Sequence, residues 1–126
     1  MPHRVLIVDD DEDCLSGLQQ LIENVGHEVL VASTFEEGRR LLKTAAPDLL
    51  IADVRLGAFN GLQLIATTEL NIPVIVISGF DDVVLQAEAR AMGAEYLVKP
   101  ISPSALLDYI GEKLDGRQTT ATPPRV

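Results

Sequence analysis

The chain is poor in the groups that cross-link, span a bilayer or grip a polyanion. Its one cysteine, Cys14, excludes an internal disulfide. It shows no N-terminal signal peptide, and the apolar run from Val5 to Val8 is far too short to cross a membrane, so the cytoplasm is the default location. Basic residues number 10 against 19 acidic ones, and the net charge of -9 argues against non-specific binding to nucleic acid or to an anionic membrane surface. Any contact with DNA would have to run through another domain or partner. His3 and His27 have no cysteine nearby and no spaced partner, and both read as surface residues rather than metal ligands. No internal repeat is present.

What the chain does have is an ordinary globular balance, 47% hydrophobic and 23% charged, in 126 residues. That is enough for one domain with its own core. Short apolar runs alternate with helical patterns five times, which predicts an α/β fold built on a doubly wound parallel sheet. The expected strands are Val5 to Asp9, Glu28 to Ala32, Leu49 to Asp53, Val74 to Ser78 and Glu95 to Val98. Leu15, Leu18, Ile22 and Val25 recur at helical spacing before Gly26. A second helix opens at Thr34 with the capping-box pattern Thr34-Phe35-Glu36-Glu37, presents Phe35, Gly38, Leu41, Leu42 and Ala45 on one face, and ends before Pro47. The third spans Gly61 to Leu70. The fourth, Asp82 to Met92, is alanine-rich with a weak apolar face and is expected to be the loosest element. The last takes Ser102 as N-cap and buries Leu106, Leu107, Ile110 and Leu114. Residues 1–115 then form the domain, and 116–126, rich in Gly, Thr and Pro without periodicity, form a disordered tail or linker.

In such sheets a ligand lies outside the carboxyl ends of the strands, where strand order reverses. Asp9 and Asp10 end the first strand, Asp53 ends the third, Ser78 ends the fourth and Lys99 follows the fifth. All of them reach one crevice. Clustered carboxylates there repel one another, so a positive group is expected among them.

Four motifs carry a resemblance: Val8-Asp9-Asp10, Asp53 with Gly61 after it, Val76-Ile77-Ser78-Gly79, and Tyr96-Leu97-Val98-Lys99-Pro100. Together, over residues 4–115, the pattern resembles the receiver domain of bacterial two-component response regulators. The resemblance implies a flavodoxin-like receiver fold with five strands in the order 2-1-3-4-5, the order of the family's chemotaxis member. It implies Asp53 as phosphoacceptor, Asp9 and Asp10 as an acidic pair serving magnesium, Lys99 as the phosphate-contacting lysine, Ser78 as switch hydroxyl and Tyr96 as switch aromatic. Asp10 and Asp53 would hold Mg2+ directly and Asp9 through water, with the backbone carbonyl of Arg55 supplying another oxygen. The Lys99-Pro100 bond resembles one that is cis in this family. Implied partners are a sensor histidine kinase or histidine phosphotransfer protein, a downstream target or output domain, and a second copy through the fourth helix, fifth strand and fifth helix. The domain would be no enzyme beyond its own phosphorylation and dephosphorylation.

The chemistry supports these roles. A carboxylate can attack phosphorus, but neighbouring carboxylates repel the incoming group unless a cation neutralises them. Magnesium needs one or two carboxylates plus substrate oxygens, and a lysine adds a point charge. Singly, each residue has a blander reading. Asp9 to Asp11 could merely start a helix, Asp53 end a strand, Ser78 be a satisfied hydroxyl, Lys99 sit in a solvated turn, Tyr96 pack as a β-former and Cys14 pack on the first helix. Their coincidence at one sheet edge favours the site.

Rival chemistries fare worse. Asp9-x-Asp11 resembles the start of a haloacid-dehalogenase-type phosphatase, but Asp13 stands where Thr or Val is expected. Asp9, Asp11 and Asp13 mimic an EF-hand opening, yet Cys14 replaces its Gly and Gln20 its Glu. Within the family, a phosphate carrier or a phosphorylation-independent docking receiver remains the alternative. The pattern departs from the family in three places: Gly57 replaces a proline, Asp53 to Ser78 is shorter than usual, and Gly93 to Lys99 is one residue short, which bears on the register of the fifth strand and on Tyr96.

Overall fold

A computed structural model describes residues 3–56, 59–66, 71–79 and 82–121, with backbone alone for Arg55–Leu56, Phe59–Asn60 and 115–121. In chain order the elements are β1 (Arg4–Val8), α1 (Glu12–Glu23), β2 (Glu28–Ala32), α2 (Phe35–Thr44), β3 (Leu49–Asp53), β4 (Arg55–Leu56), β5 (Phe59–Asn60), α3 (Gly61–Ala66), β6 (Val74–Ser78), α4 (Val83–Ala91), β7 (Glu95–Val98) and α5 (Pro103–Ala121). Five of the strands form one parallel sheet in the order β2-β1-β3-β6-β7. With the two short strands set aside, this is the 2-1-3-4-5 order expected from the sequence.

The sheet is covered on both faces, which is why its central strands read as unbroken apolar runs. Val5, Ile7, Ile51, Ile75 and Ile77 pack with Leu15, Leu18 and Ile22 of α1 and Leu106, Ile110 and Leu114 of α5. Leu6, Val8, Leu50, Ala52, Val74 and Val76 face Phe35 and Leu42 of α2, Leu62 and Leu64 of α3, and Ala89 of α4. Each fully buried Leu or Ile contributes roughly 1.5–3 kcal/mol of transfer free energy, so the two layers carry most of the stabilisation. Helix starts follow the side-chain chemistry. Asp11 accepts from the N–H groups of Asp13 and Cys14, Thr34 from Glu37, and Asp82 from Val84 and Leu85.

The structure corrects the sequence reading at several points. Val25 does not lie on the apolar face of α1; the helix is capped at Asn24, and Val25 is 50% exposed ahead of Gly26 at φ 98°. The first part of the expected tail, 116–121, is helical, because α5 continues to Ala121. A formed helix extends at far lower cost than it nucleates, and no proline interrupts it before Pro123. His3 and His27 are not isolated surface residues. They are half-buried, with ring centroids 5.9 Å apart in an edge-on arrangement. Burial first, then the proximity of His3, lowers the pKa of His27. Beside them Arg4 ties the base of the sheet together, its Nε 2.8 Å from Glu28 and its backbone N–H donating to the Asp48 carboxylate at 2.8 Å.

The β4–β5 pair, with Arg55 opposite Asn60 and Leu56 opposite Phe59 in antiparallel register, was not foreseen. Gly57, the residue in place of proline, and positions 67–70 of the expected third helix lie outside the described residues. The register of β7 is regular, with Tyr96 opposite Val76 and Val98 opposite Ser78.

Candidate functional site

Asp53 closes β3 and is 6% exposed. The Lys99 Nζ lies 2.6 Å from its Oδ2, bridging strand ends that are 46 residues apart in sequence. The same ammonium stands 3.6 Å from Asp9 Oδ2. The Lys99-Pro100 peptide is cis, and the Lys99 N–H donates to the Ser78 carbonyl at 2.7 Å. The lysine is thus held by the neighbouring strand at its backbone and by a carboxylate at its tip.

The three consecutive acids do three different things. Asp11 caps α1, which is the blander reading suggested for the whole run. Asp10 is exposed at the rim. Asp9 is 2% exposed, continues the ladder through its N–H to the Ala32 carbonyl at 3.0 Å, and accepts through Oδ1 from the Asp11 N–H at 2.9 Å. Its Oδ2 is buried and accepts no hydrogen bond. Burial is the main cause of a raised Asp9 pKa, with the charge of Asp53 adding to it against the Asp11 N–H, the Cys14 thiol and Lys99. For Lys99 burial is the largest influence and pulls downward. The hydrogen bond to Asp53 and the charges of Asp53 and Asp9 outweigh it, and the pKa is raised.

Cys14 packs against the α1 side of the core as expected, but it also bears on the site, which the sequence reading missed. Burial, then Asp9, pushes its thiol up to about 12. No local pattern marks a cysteine one turn into a helix as a neighbour of a strand-end acid. Ser78, the last residue of β6, is 1% exposed, one position beyond the Asp53–Ile77 register pair. Tyr96 is half-buried and packs on the α2–α4 side of the core. Arg55 enters β4, two positions after Asp53.

A buried acceptor without a donor is what a hydrated cation would satisfy, and Asp9 Oδ2 supplies one. Among the described residues no group of three or more His, Cys, Asp and Glu closes into a metal cage. The carboxylates that could face an ion there, those of Asp9, Asp10 and Asp53, would offer oxygen alone. That suits magnesium, which keeps its waters, better than zinc or calcium. The phosphatase and EF-hand alternatives lose their footing, since Asp11 is occupied as a helix cap and α1 already runs through Asp13 and Cys14.

Comparison with known proteins agrees with the fold. The model of the response regulator receiver domain matches residues 5–111. The chain is 34% identical over 122 residues to the alginate biosynthesis transcriptional regulatory protein AlgB of Pseudomonas aeruginosa, covering 94% of this chain and 27% of that protein. It therefore spans about a quarter of the length of AlgB. Protein PilH of the same organism is 33% identical over 121 residues, with 90% of this chain and 98% of PilH covered. The crystal structure of a CheY-like response regulator receiver domain protein from Methanospirillum hungatei superposes with a TM-score of 0.88 at 29% identity, covering 95% of this chain and 99% of that one. The doubly wound parallel sheet in the order 2-1-3-4-5, with helices on both faces, is the fold of a receiver module. The chain belongs to the response regulator receiver domain family.

Proposed function

We propose that Asp53 accepts a phosphoryl group from a phosphohistidine on a sensor kinase or phosphotransfer protein. The observation that carries this is the Lys99 ammonium 2.6 Å from a nearly buried Asp53 and 3.6 Å from an Asp9 oxygen that accepts no hydrogen bond. An Asp53 oxygen attacks phosphorus, the bond to the donor nitrogen breaks, and the imidazole leaves with its electron pair. Lys99 passes from the carboxylate to a phosphoryl oxygen, and the Ser78 hydroxyl donates to another. Asp10 and Asp53 would hold Mg2+ directly and Asp9 through water, with the Arg55 carbonyl as a further ligand. When bound, the ion supplies charge neutralisation between carboxylates and phosphoryl oxygens.

The donor would settle beside Lys99, where an apolar groove of about 680 Å³ runs between α1 and the start of α5, lined by Cys14, Leu18, Leu21, Ile101 and Leu106. The output follows from Ser78 moving toward the phosphoryl group and Tyr96 entering the space it leaves, which alters the face of α4, β7 and α5 for a target, an output domain or a second copy. We assign the cytoplasm as its location; no helix among the described residues is long and apolar enough to cross a membrane. Turnover is confined to its own phosphorylation and dephosphorylation, with no direct nucleic-acid binding.

The test is intact mass after incubation with a small acyl phosphate or phosphoramidate and magnesium. Wild type should gain one phosphoryl group and Asp53→Asn none. Equal gain in both would move the acceptor elsewhere.

A further inference from the structure

Gly61 was part of the motif around Asp53, yet nothing in the phosphoryl chemistry uses it. Its backbone does not sit at a positive φ among the described glycines, so conformational freedom is not the reason for it. The reason is space. A Cβ added at Gly61 would lie 2.5 Å from the Asp53 carbonyl oxygen, 3.2 Å from the Asp53 carbonyl carbon and 3.2 Å from Ala52 Cβ. The nearest of these is backbone, which cannot swing aside as a side-chain tip can. At Gly38 the corresponding crowding is against Val8 methyl groups.

The approach is fixed from several directions. The Gly61 N–H donates to the Val54 carbonyl at 3.0 Å, and the Val54 N–H donates to the Ile77 carbonyl at 2.8 Å. The excursion between Val54 and Gly61 closes on itself through the antiparallel β4–β5 pair. Leu62 and Leu64, buried at 3% and 0%, anchor the helix that Gly61 begins. The carbonyl side of Asp53 therefore rests on the first residue of α3, while its side chain reaches Lys99.

We infer that Gly61 is a positioning residue for phosphoryl transfer: the bare α-carbon at the start of α3 is the surface on which the Asp53 backbone rests, and it sets the direction of the carboxylate toward Lys99. This rests on Asp53 being the acceptor. Any side chain at Gly61 must push the Asp53 carbonyl away, and misplacement of a reacting group by about 1 Å costs on the order of a hundredfold in rate.

The experiment compares wild type, Gly61→Ala and Leu62→Ala. Leu62→Ala weakens the same helix by leaving a cavity and puts nothing against Asp53. Rates of phosphorylation by acetyl phosphate with magnesium are read by intact mass, and the Asp53 carboxyl carbon and Lys99 Nζ resonances by NMR. Gly61→Ala should be slowed about tenfold to a hundredfold and shift both resonances, with Leu62→Ala close to wild type in both. Equal slowing in the two variants, or a wild-type rate in Gly61→Ala, overturns the inference. Should Gly61→Ala not fold, amide exchange of the wild type decides: Gly61 must be protected to the same degree as Val54, and free exchange at Gly61 refutes a fixed support. Failure of wild type to take up phosphate at Asp53 would instead sink the function proposed above.

Discussion

Lys99 is the residue on which the charge balance of the site turns. Removing it by Lys99→Ala leaves Asp53 and Asp9, at 6% and 2% exposure, without the ammonium between them. Breaking a fully buried pair costs about 3–5 kcal/mol. The Lys99 side chain is 31% exposed, so a loss of about 2 kcal/mol is expected, measured by urea unfolding at neutral pH in chelator. Asp9→Asn should act in the opposite direction. Burial raises the Asp9 pKa above 3.8, so the folded state binds its proton more readily than the unfolded chain and ionisation of Asp9 opposes folding. The stability advantage of Asp9→Asn over wild type should be full at neutral pH and shrink as pH falls through the folded pKa toward 3.8. A constant advantage across that range would mean that Asp9 is not the strained group. These roles were only partly legible in the sequence. Strand-end placement put Asp9, Asp53 and Lys99 at one edge, where they do meet, but three consecutive aspartates look alike until burial separates the strained one, Asp9, from the exposed Asp10 and the helix cap, Asp11.

Among the helices, α4 has the fewest buried residues among those described. Ala89 is its buried residue, while Val83 and Val84 are 77% and 65% exposed. Its start depends on the Asp82 carboxylate, which accepts from Val84 at 2.9 Å and Leu85 at 3.2 Å. Asp82→Ala should cost about 1 kcal/mol, and hydrogen exchange should locate the loss in residues 83–91, with the central strands protected as in wild type. Loss spread evenly over the sheet would show that α4 unfolds only with the whole. The weak face of α4 was readable from its alanines. The β4–β5 pair was not, because two-residue strands are too short to carry a period. The run of α5 to Ala121 was missed for a related reason: its last turns have no apolar stripe and continue an existing helix.

At the scale of the molecule the legible part was the topology. Apolar runs of four or five residues alternating with amphipathic helices admit few arrangements, and covering both faces of the sheet accounts for the unbroken runs in β1, β3 and β6. The base of the sheet was not legible. Arg4 meets Glu28 and Asp48 across 24 and 44 residues of chain, and His3 meets His27 across 24. Nothing local in the sequence announces such pairs. The two ends of the sheet therefore divide the work, with paired charges and imidazoles closing the amino edge and carboxylates strained against one lysine at the carboxyl edge.

The bond between Asp53 and Lys99 also has a meaning for the sheet as a whole. Its partners are 46 residues apart, and Lys99 follows β7, an edge strand bonded in the sheet to β6 alone. A contact of that separation closes a large loop, and its entropic cost is offset only by the sheet that holds both strand ends. The lysine-bonded pair of carboxylates thus exists only where the ends of β1, β3 and β7 stand side by side, and its integrity reports on the whole width of the sheet from β1 to β7.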